Sequence, residues 1–353
     1  MTSVKTNKIM LVSRKWPLRG KFTSVERFLD YFEGFRIITS SIINPKPYFL
    51  WKHLSNKANR KPYSSWSAFL EAKAILAILL YRPVIVHFMY GDHDLFYTLK
   101  LAKLLGIKIS ATFYFSVNEL SKKIPDKSYF TNIDLVFATG KYQKSYLEKF
   151  IKKENIYLLP LGVDTDFFSP SGKIVNSISN PKILQVGKNR RDWKLAKSVF
   201  LQLKELFPLL TVNMVGCYEK RTFFKKYDWI IFHPVINDNQ LRFLYRESAI
   251  LLLPLEDGGS SNSLNEALAC GVPVVTNNVP NLIDYTDSDC VHMGKPGDSE
   301  SMVKACSKLL NNPEYRNEKC LATRAHALKF SWPKIRSIFL QSYLNRFNIE
   351  VIP

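Results

Sequence analysis

One stretch constrains the fold more than any other. An unbroken apolar run at residues 249–255 leads into Glu256-Asp-Gly-Gly-Ser-Ser-Asn262. A helical pattern follows and stops at Gly271, and Val272-Pro-Val-Val-Thr276 begins at once. The apolar run reads as a strand buried on both faces of a parallel sheet. The glycine-rich turn opens a helix near Ser261, and Gly271 closes it. A chain built this way must be α/β, with helices covering a parallel sheet. A strand, a glycine turn and a helix N-terminus also form a cradle for a phosphate, because the amides of the first helical turn lack partners and the helix dipole favours negative charge. Glu266 lies one turn in, where it can reach the same ligand.

The alternation recurs along the chain. Strands are expected at 9–13, 35–39, 84–88, 108–113, 135–138 and 157–159, with helices at 25–32, 66–80, 94–105 and 141–150. A turn-rich segment, 171–181, reads as a linker. Strands resume at 182–186, 211–215, 230–233, 250–254 and 273–276, with helices at 194–206, 238–247, 261–270 and 299–310. Ser331-Trp-Pro333 opens a last helix. At 353 residues two domains are the default. The expected division is 1–170 and 182–331, with helix 332–348 packing back on the first domain.

The formal net charge is +20. Residues 1–170 hold 26 Lys and Arg against 13 Asp and Glu, twice as many. Between 36 and 91 eight basic residues face one acid, Glu71, and are interleaved with aromatics. That pattern suits an anionic membrane surface. The alternatives are a solvated lysine-rich face and, least favoured, nucleic acid. No segment reads as a transmembrane helix, because Arg82-Pro83 breaks the best candidate. The residues before Lys8 lack the apolar core of a signal peptide. Five cysteines without metal-ligand spacing suit reduced thiols, so the expected location is cytoplasmic, with association at the inner face of the plasma membrane.

A second motif, Leu158-Leu-Pro-Leu-Gly-Val-Asp-Thr-Asp-Phe-Phe-Ser-Pro170, precedes the linker. Together with Glu266-Ala-Leu-Ala-Cys-Gly-Val-Pro-Val-Val275, Lys295-Pro-Gly-Asp298 and Phe330-Ser-Trp-Pro333, it resembles the retaining GT-B glycosyltransferases of family 4. The resemblance covers 155–345 well and the N-terminal third in outline. It implies two Rossmann-like domains facing a central cleft. It also implies metal-independent transfer, with retention, from a nucleotide sugar such as a UDP- or GDP-sugar to a glycan or lipid-linked acceptor, as in surface polysaccharide assembly. No cofactor or metal is implied. Asp164-Thr-Asp166 has the letters of a metal-binding pair but belongs to the domain-end motif.

The resemblance also assigns roles to residues. Glu266 is expected on the nucleotide ribose. The family places a second Glu eight positions earlier, where this chain has Gly258; Asp257 and Asn262 are expected to take the sugar contacts, while Gly258, Gly259, Ser260 and Ser261 let the backbone approach the diphosphate. Cations after the strand ending at Gly187 would neutralise the leaving diphosphate: Arg191 and Lys194 first, then Lys188. Tyr114 stands where many members carry a His near the donor sugar. On the acceptor side, Gly20 sits in a flexible loop, and Asp92, His93 and Asp94 are expected to be exposed. His87, at a strand end, reads as structural. The competing readings are a non-catalytic homologue and a nucleotide-sugar epimerase on the same fold.

Overall fold

The computed structural model describes residues 2–16, 20–23, 25–58, 61–171, 180–280 and 282–352. The chain divides into two units: 1–19, 24–161 and 333–353 form the first, and 20–23 with 162–332 form the second.

In the first unit six strands lie parallel: β2 (Ile9–Arg14), β3 (Arg36–Ser40), β4 (Ile85–Phe88), β5 (Lys108–Phe113), β6 (Leu135–Ala138) and β7 (Ile156–Leu158). Their order is β3-β2-β4-β5-β6-β7. The chain leaves β2 to one side and then returns to its other side, so the switch point lies between β2 and β4. A separate pair joins β1 (Thr2–Lys5) to β14 (Ile349–Ile352) in parallel. The second unit has β8 (Lys182–Val186), β9 (Thr211–Val215), β10 (Ile230–His233), β11 (Ile250–Leu253), β12 (Val274–Asn277) and β13 (Val291–Gly294). All pair in parallel, in the order β10-β9-β8-β11-β12-β13. Its switch point lies between β8 and β11. In open sheets of this kind ligands bind beyond the strand C-termini at that point.

The strand interiors are apolar because helices cover both faces of each sheet. Val86, Ile109, Ala111 and Val136 are buried in the first unit, and Ile183, Val212, Leu252 and Val275 in the second.

Three features depart from the sequence expectations. The division falls at Leu161 and Gly162, and the 171–181 segment lies mostly outside the described residues. Arg324 holds residues 162–170 to the second unit, donating to Thr165 O, Phe168 O and Ala269 O. The expected helix 94–105 breaks, and helix resumes only at Thr98–Leu105. Here the buried Glu71 carboxylate draws the amides of Phe96 and Thr98 out of helical pairing, at 2.8 and 2.7 Å. The helices Tyr48–Lys57 and Pro313–Ala327 and the strand β13 carried no clear sequence signal.

The last helix, Trp332–Phe347, brings Phe339 and Tyr343 onto the first unit's sheet. Tyr343 Oη lies 3.0 Å from Ser110 Oγ, and Ser110 in turn lies 2.9 Å from His87 Nδ1. The other His87 nitrogen meets Thr112 Oγ1 at 3.1 Å. Burial pulls the His87 pKa down to about 3. The unfolded chain therefore takes up a proton near the ordinary histidine value while the folded chain does not, so stability falls as pH drops below about 6.5. Between pH 7 and pH 5 the share due to His87 is about 2 kcal/mol. We expect the fall in Tm over that interval to be smaller in His87→Gln than in the unsubstituted protein. Equal falls would show that His87 is protonated in the folded state.

Candidate active site

The second unit's switch point is built by zipping two strand ends together. The loop after β8 pairs with the segment after β11: Asp192 N donates to Pro254 O at 3.1 Å, and Glu256 N donates to Arg190 O at 2.9 Å. Arg191 and Leu255 form an antiparallel bridge between these contacts. Asn277, at the end of β12, clamps the other side, exchanging two hydrogen bonds of 2.6 Å with the Leu255 backbone. Gly187 starts the loop with φ +81°, which a residue with Cβ rarely adopts.

This closure buries the Arg191 side chain beside the N-terminus of the helix Asn262–Ala269. Arg191 donates to Val186 O at 2.7 Å, Asn189 O at 2.9 Å and Ser263 Oγ at 3.0 Å. Among the described residues no carboxylate lies within ion-pair distance of it. Burial lowers its pKa to about 10, so it remains a cation at neutral pH. A buried, unpaired guanidinium is costly unless an anion compensates it. Ser261 caps the helix, accepting from Leu264 N, and its hydroxyl lies 3.0 Å from Ser263 Oγ.

Glu266 lies one turn further along the helix and is 4% exposed. Tyr245 Oη donates to Glu266 Oε2 at 2.8 Å, which orients the carboxylate. Burial and then the adjacent Glu266 hold the Tyr245 hydroxyl well above its ordinary pKa, so it stays a donor. The ring of Phe168, from the domain-end motif, meets Tyr245 edge-on at 6.1 Å. The two motifs that carry the family resemblance therefore touch through a residue belonging to neither. Sequence reasoning missed both Tyr245 and Ser263. Tyr245 follows Leu241 on the buried stripe of its helix and reads as core. The available signal was that a buried tyrosine hydroxyl requires a partner.

The turn explains the glycine at 258. A Cβ there would lie 1.7 Å from Pro280 O, so no Glu fits at this position. The neighbouring Asp257 is half-buried and accepts from Gly258 N at 2.8 Å. Gly259 is buried; Ser260 and Asn262 are half-buried. Lys194 and Lys188 are exposed, unlike Arg191. Lys188 Nζ lies 3.7 Å from Glu219, an exposed pair of little energetic weight.

The acceptor-side candidates fall in different places. Gly20 packs within the second unit, where a Cβ would strike the Asp238 carboxylate. Phe22, in the same segment, stacks on Phe167 at 3.9 Å and donates from its amide to Asp238 at 2.9 Å. Asp92 and Asp94, expected to be exposed, are buried at 0% and 1%. The fold consumes both carboxylates. Asp92 accepts from Tyr114 N and Phe115 N, each at 2.8 Å, and lies 2.9 Å from His93 Nδ1. Burial alone would raise the Asp92 pKa, but His93 and these amides outweigh it and the net shift is downward. Asp94 pairs with the buried Arg14 at the end of β2. Trp16, Tyr90, His93 and Tyr114 form an aromatic cluster over these charges, with Trp16 at 6.4 Å from both Tyr90 and His93 and Tyr90 at 5.3 Å from Tyr114. The cluster occupies the first unit's own switch point.

Residues 180–312 match the family model described as glycosyl transferases group 1. The chain is 25% identical over 305 residues to an uncharacterised glycosyltransferase of Haemophilus influenzae, covering 80% of this chain and 83% of that protein. It is 26% identical over 115 residues to the O-antigen chain mannosyltransferase B of Escherichia coli, covering 33% of this chain and 30% of that one. Its fold matches sucrose-phosphate synthase from Thermosynechococcus elongatus at TM-score 0.70 and 17% identity, over 96% of this chain and 89% of that one. It also matches Anabaena HepE, solved in complex with UDP-glucose, at TM-score 0.67 and 12% identity, over 94% and 98% of the two chains. Residues 180–312 thus match a group 1 glycosyltransferase domain, and the chain shares its fold of two Rossmann-like parallel-sheet units with these solved structures.

The tight turn has a direct test. Gly258→Ala is expected to destabilise the protein by about 1–3 kcal/mol, because the methyl must displace the Pro280 backbone. Thermal unfolding measures this. An unchanged Tm would mean that the turn is open and that a side chain at 258 is tolerated.

Proposed function

We propose that the protein is a retaining glycosyltransferase that moves a sugar from a UDP- or GDP-sugar to a glycan or lipid-linked acceptor, without a metal ion, in bacterial surface polysaccharide assembly. The setting that fits is the cytoplasm, at the inner face of the membrane. The observation that carries this reading is the buried Arg191 guanidinium, unpaired beside the N-terminus of the helix Asn262–Ala269. A diphosphate supplies the anion that this arrangement needs, and the first-turn amides add fixed positive dipoles.

In this reading Arg191 and the helix N-terminus stabilise charge on the departing nucleoside diphosphate, the work a metal would otherwise do. Lys194 and Lys188 reach the same diphosphate from solvent. Glu266, held by Tyr245, accepts hydrogen bonds from the ribose hydroxyls. Asp257 and Asn262 contact the sugar in place of the glutamate that Gly258 excludes. Gly258, Gly259, Ser260 and Ser261 supply backbone approach, and Gly187 allows the loop that carries Arg191. On the acceptor side the aromatic cluster with Tyr114 and His93 offers ring faces for a saccharide, with Asp92 fixing the His93 ring. The similar proteins support this reading: HepE was solved in complex with UDP-glucose, and one relative is an O-antigen chain mannosyltransferase.

Purified protein assayed against a panel of nucleotide sugars tests the reading. Arg191→Gln is expected to lower kcat/KM by about a hundredfold or more, the scale of losing one preorganised charge contact to the leaving group. Glu266→Gln should cost about tenfold to a hundredfold, mostly in KM for the donor. Full activity in both variants would place the donor elsewhere. Tyr245→Phe is expected to lower donor affinity about tenfold with little change in kcat, because the hydroxyl acts through Glu266. A loss confined to kcat would contradict that positioning role.

A further inference from the structure

The outer edge of the first unit carries a surface that the catalytic reading does not use. The helix Ser65–Tyr81 carries apolar residues on both its buried and its exposed sides. Its inward residues Leu70, Ala74 and Ile78 are buried against the sheet. Leu76 and Leu80 point the other way and are 59% and 65% exposed. Phe69, Lys73, Leu76 and Leu80 follow at helical spacings of four, three and four, so they form one stripe. The helix Tyr48–Lys57 covers the start of this stripe, where Trp51 meets Phe69 edge-on at 5.2 Å. Beyond that turn nothing described in the chain covers it. Lys73 Nζ donates to Thr39 O at 2.6 Å and the Arg36 guanidinium stacks on Tyr81, which ties the stripe to the edge strand β3. The chain leaving β3 exposes Ile42 and Ile43 at 50% each, and then Phe49 at 76%.

Within residues 36–91 the surface charge is all of one sign. Glu71 is the single acid between 36 and 91, and it lies inside the fold. The Tyr63 hydroxyl and the amides of Phe96 and Thr98 occupy its oxygens. The surface of this stretch therefore has no carboxylate to balance Lys46, Lys52, Lys57, Lys61 and Arg82, all of them exposed. Large exposed apolar residues among uncompensated cations ask for a partner that offers hydrocarbon and negative charge together. No helix among the described residues is long and apolar enough to cross a bilayer, so such a contact lies along its surface.

We propose that this face docks on an anionic phospholipid bilayer, with Phe49, Leu76 and Leu80 entering the headgroup boundary and the lysines held by lipid phosphates. The assignment uses no residue of the donor site, and its test reads lipid binding rather than transfer. The full chain is mixed with vesicles of phosphatidylglycerol and phosphatidylethanolamine, or of phosphatidylcholine alone, and sedimented at low salt. Binding to the anionic vesicles only is expected. The triple variant Phe49→Ser, Leu76→Ser, Leu80→Ser keeps the net charge and should bind at least tenfold more weakly. The variant Lys46→Glu, Lys52→Glu, Lys57→Glu should bind more weakly still, and both should keep the circular dichroism of the parent. Failure of the parent to sediment with anionic vesicles overturns the proposal. So does unchanged binding of the serine variant, which would mean diffuse charge attraction. A parent that is dimeric, stays off vesicles and becomes monomeric in the serine variant would assign the face to a second copy of the chain.

Discussion

The site depends on one buried cation, Arg191, that no carboxylate among the described residues neutralises. Arg191 sits where β8 and β11 diverge, and its donors reach two carbonyls and the Ser263 hydroxyl but no carboxylate. Holding a guanidinium there opposes folding, because its desolvation is only partly offset by neutral acceptors. The zipped strand ends force that burial. The ladder through Arg190, Arg191 and Asp192 fixes the loop, and Gly187 provides the bend that lets it return. A positive centre prepared in advance stabilises developing negative charge without reorganising when that charge appears.

The first unit meets the same topological situation with the opposite solution. Among the described residues its buried charges are satisfied internally: Arg14 by Asp94, Asp92 by two amides and His93, and Glu71 by Tyr63 and two amides. Arg14 also lies against the Trp16 and Trp66 rings, at 5.0 and 4.6 Å. What remains at that switch point is a set of aromatic faces over a neutralised floor. Such a floor suits a partner rich in hydroxyls rather than charge, and the proposed placing of a saccharide acceptor here rests on that contrast.

Much of this was legible in the sequence, for physical reasons. Parallel strands buried on both faces give unbroken apolar runs, so β5, β6, β8, β9 and β10 fall where the runs lie. The phosphate-type turn, Glu266 and Arg191 lie on local signals of glycine, cap and charge. Contacts distant in sequence were hidden. Nothing near Glu266 announces that Tyr245 holds it, and nothing near Gly258 announces the Pro280 carbonyl. Asp92 and Asp94 looked exposed because two carboxylates beside a histidine usually are; only the fold shows Arg14 and the Tyr114 and Phe115 amides waiting for them. The division at Leu161 and Gly162 was hidden for the same reason, since Arg324 binds the 162–170 segment from far along the chain.

The proposed partner of the buried Arg191 guanidinium is a nucleoside diphosphate. A crystal structure of the protein with UDP or GDP bound tests it most directly. The diphosphate is expected within hydrogen-bonding distance of the Arg191 guanidinium and of the first-turn amides of the helix Asn262–Ala269, with the ribose hydroxyls on Glu266. A nucleotide bound elsewhere, with Arg191 still directed only at Val186, Asn189 and Ser263, would contradict it.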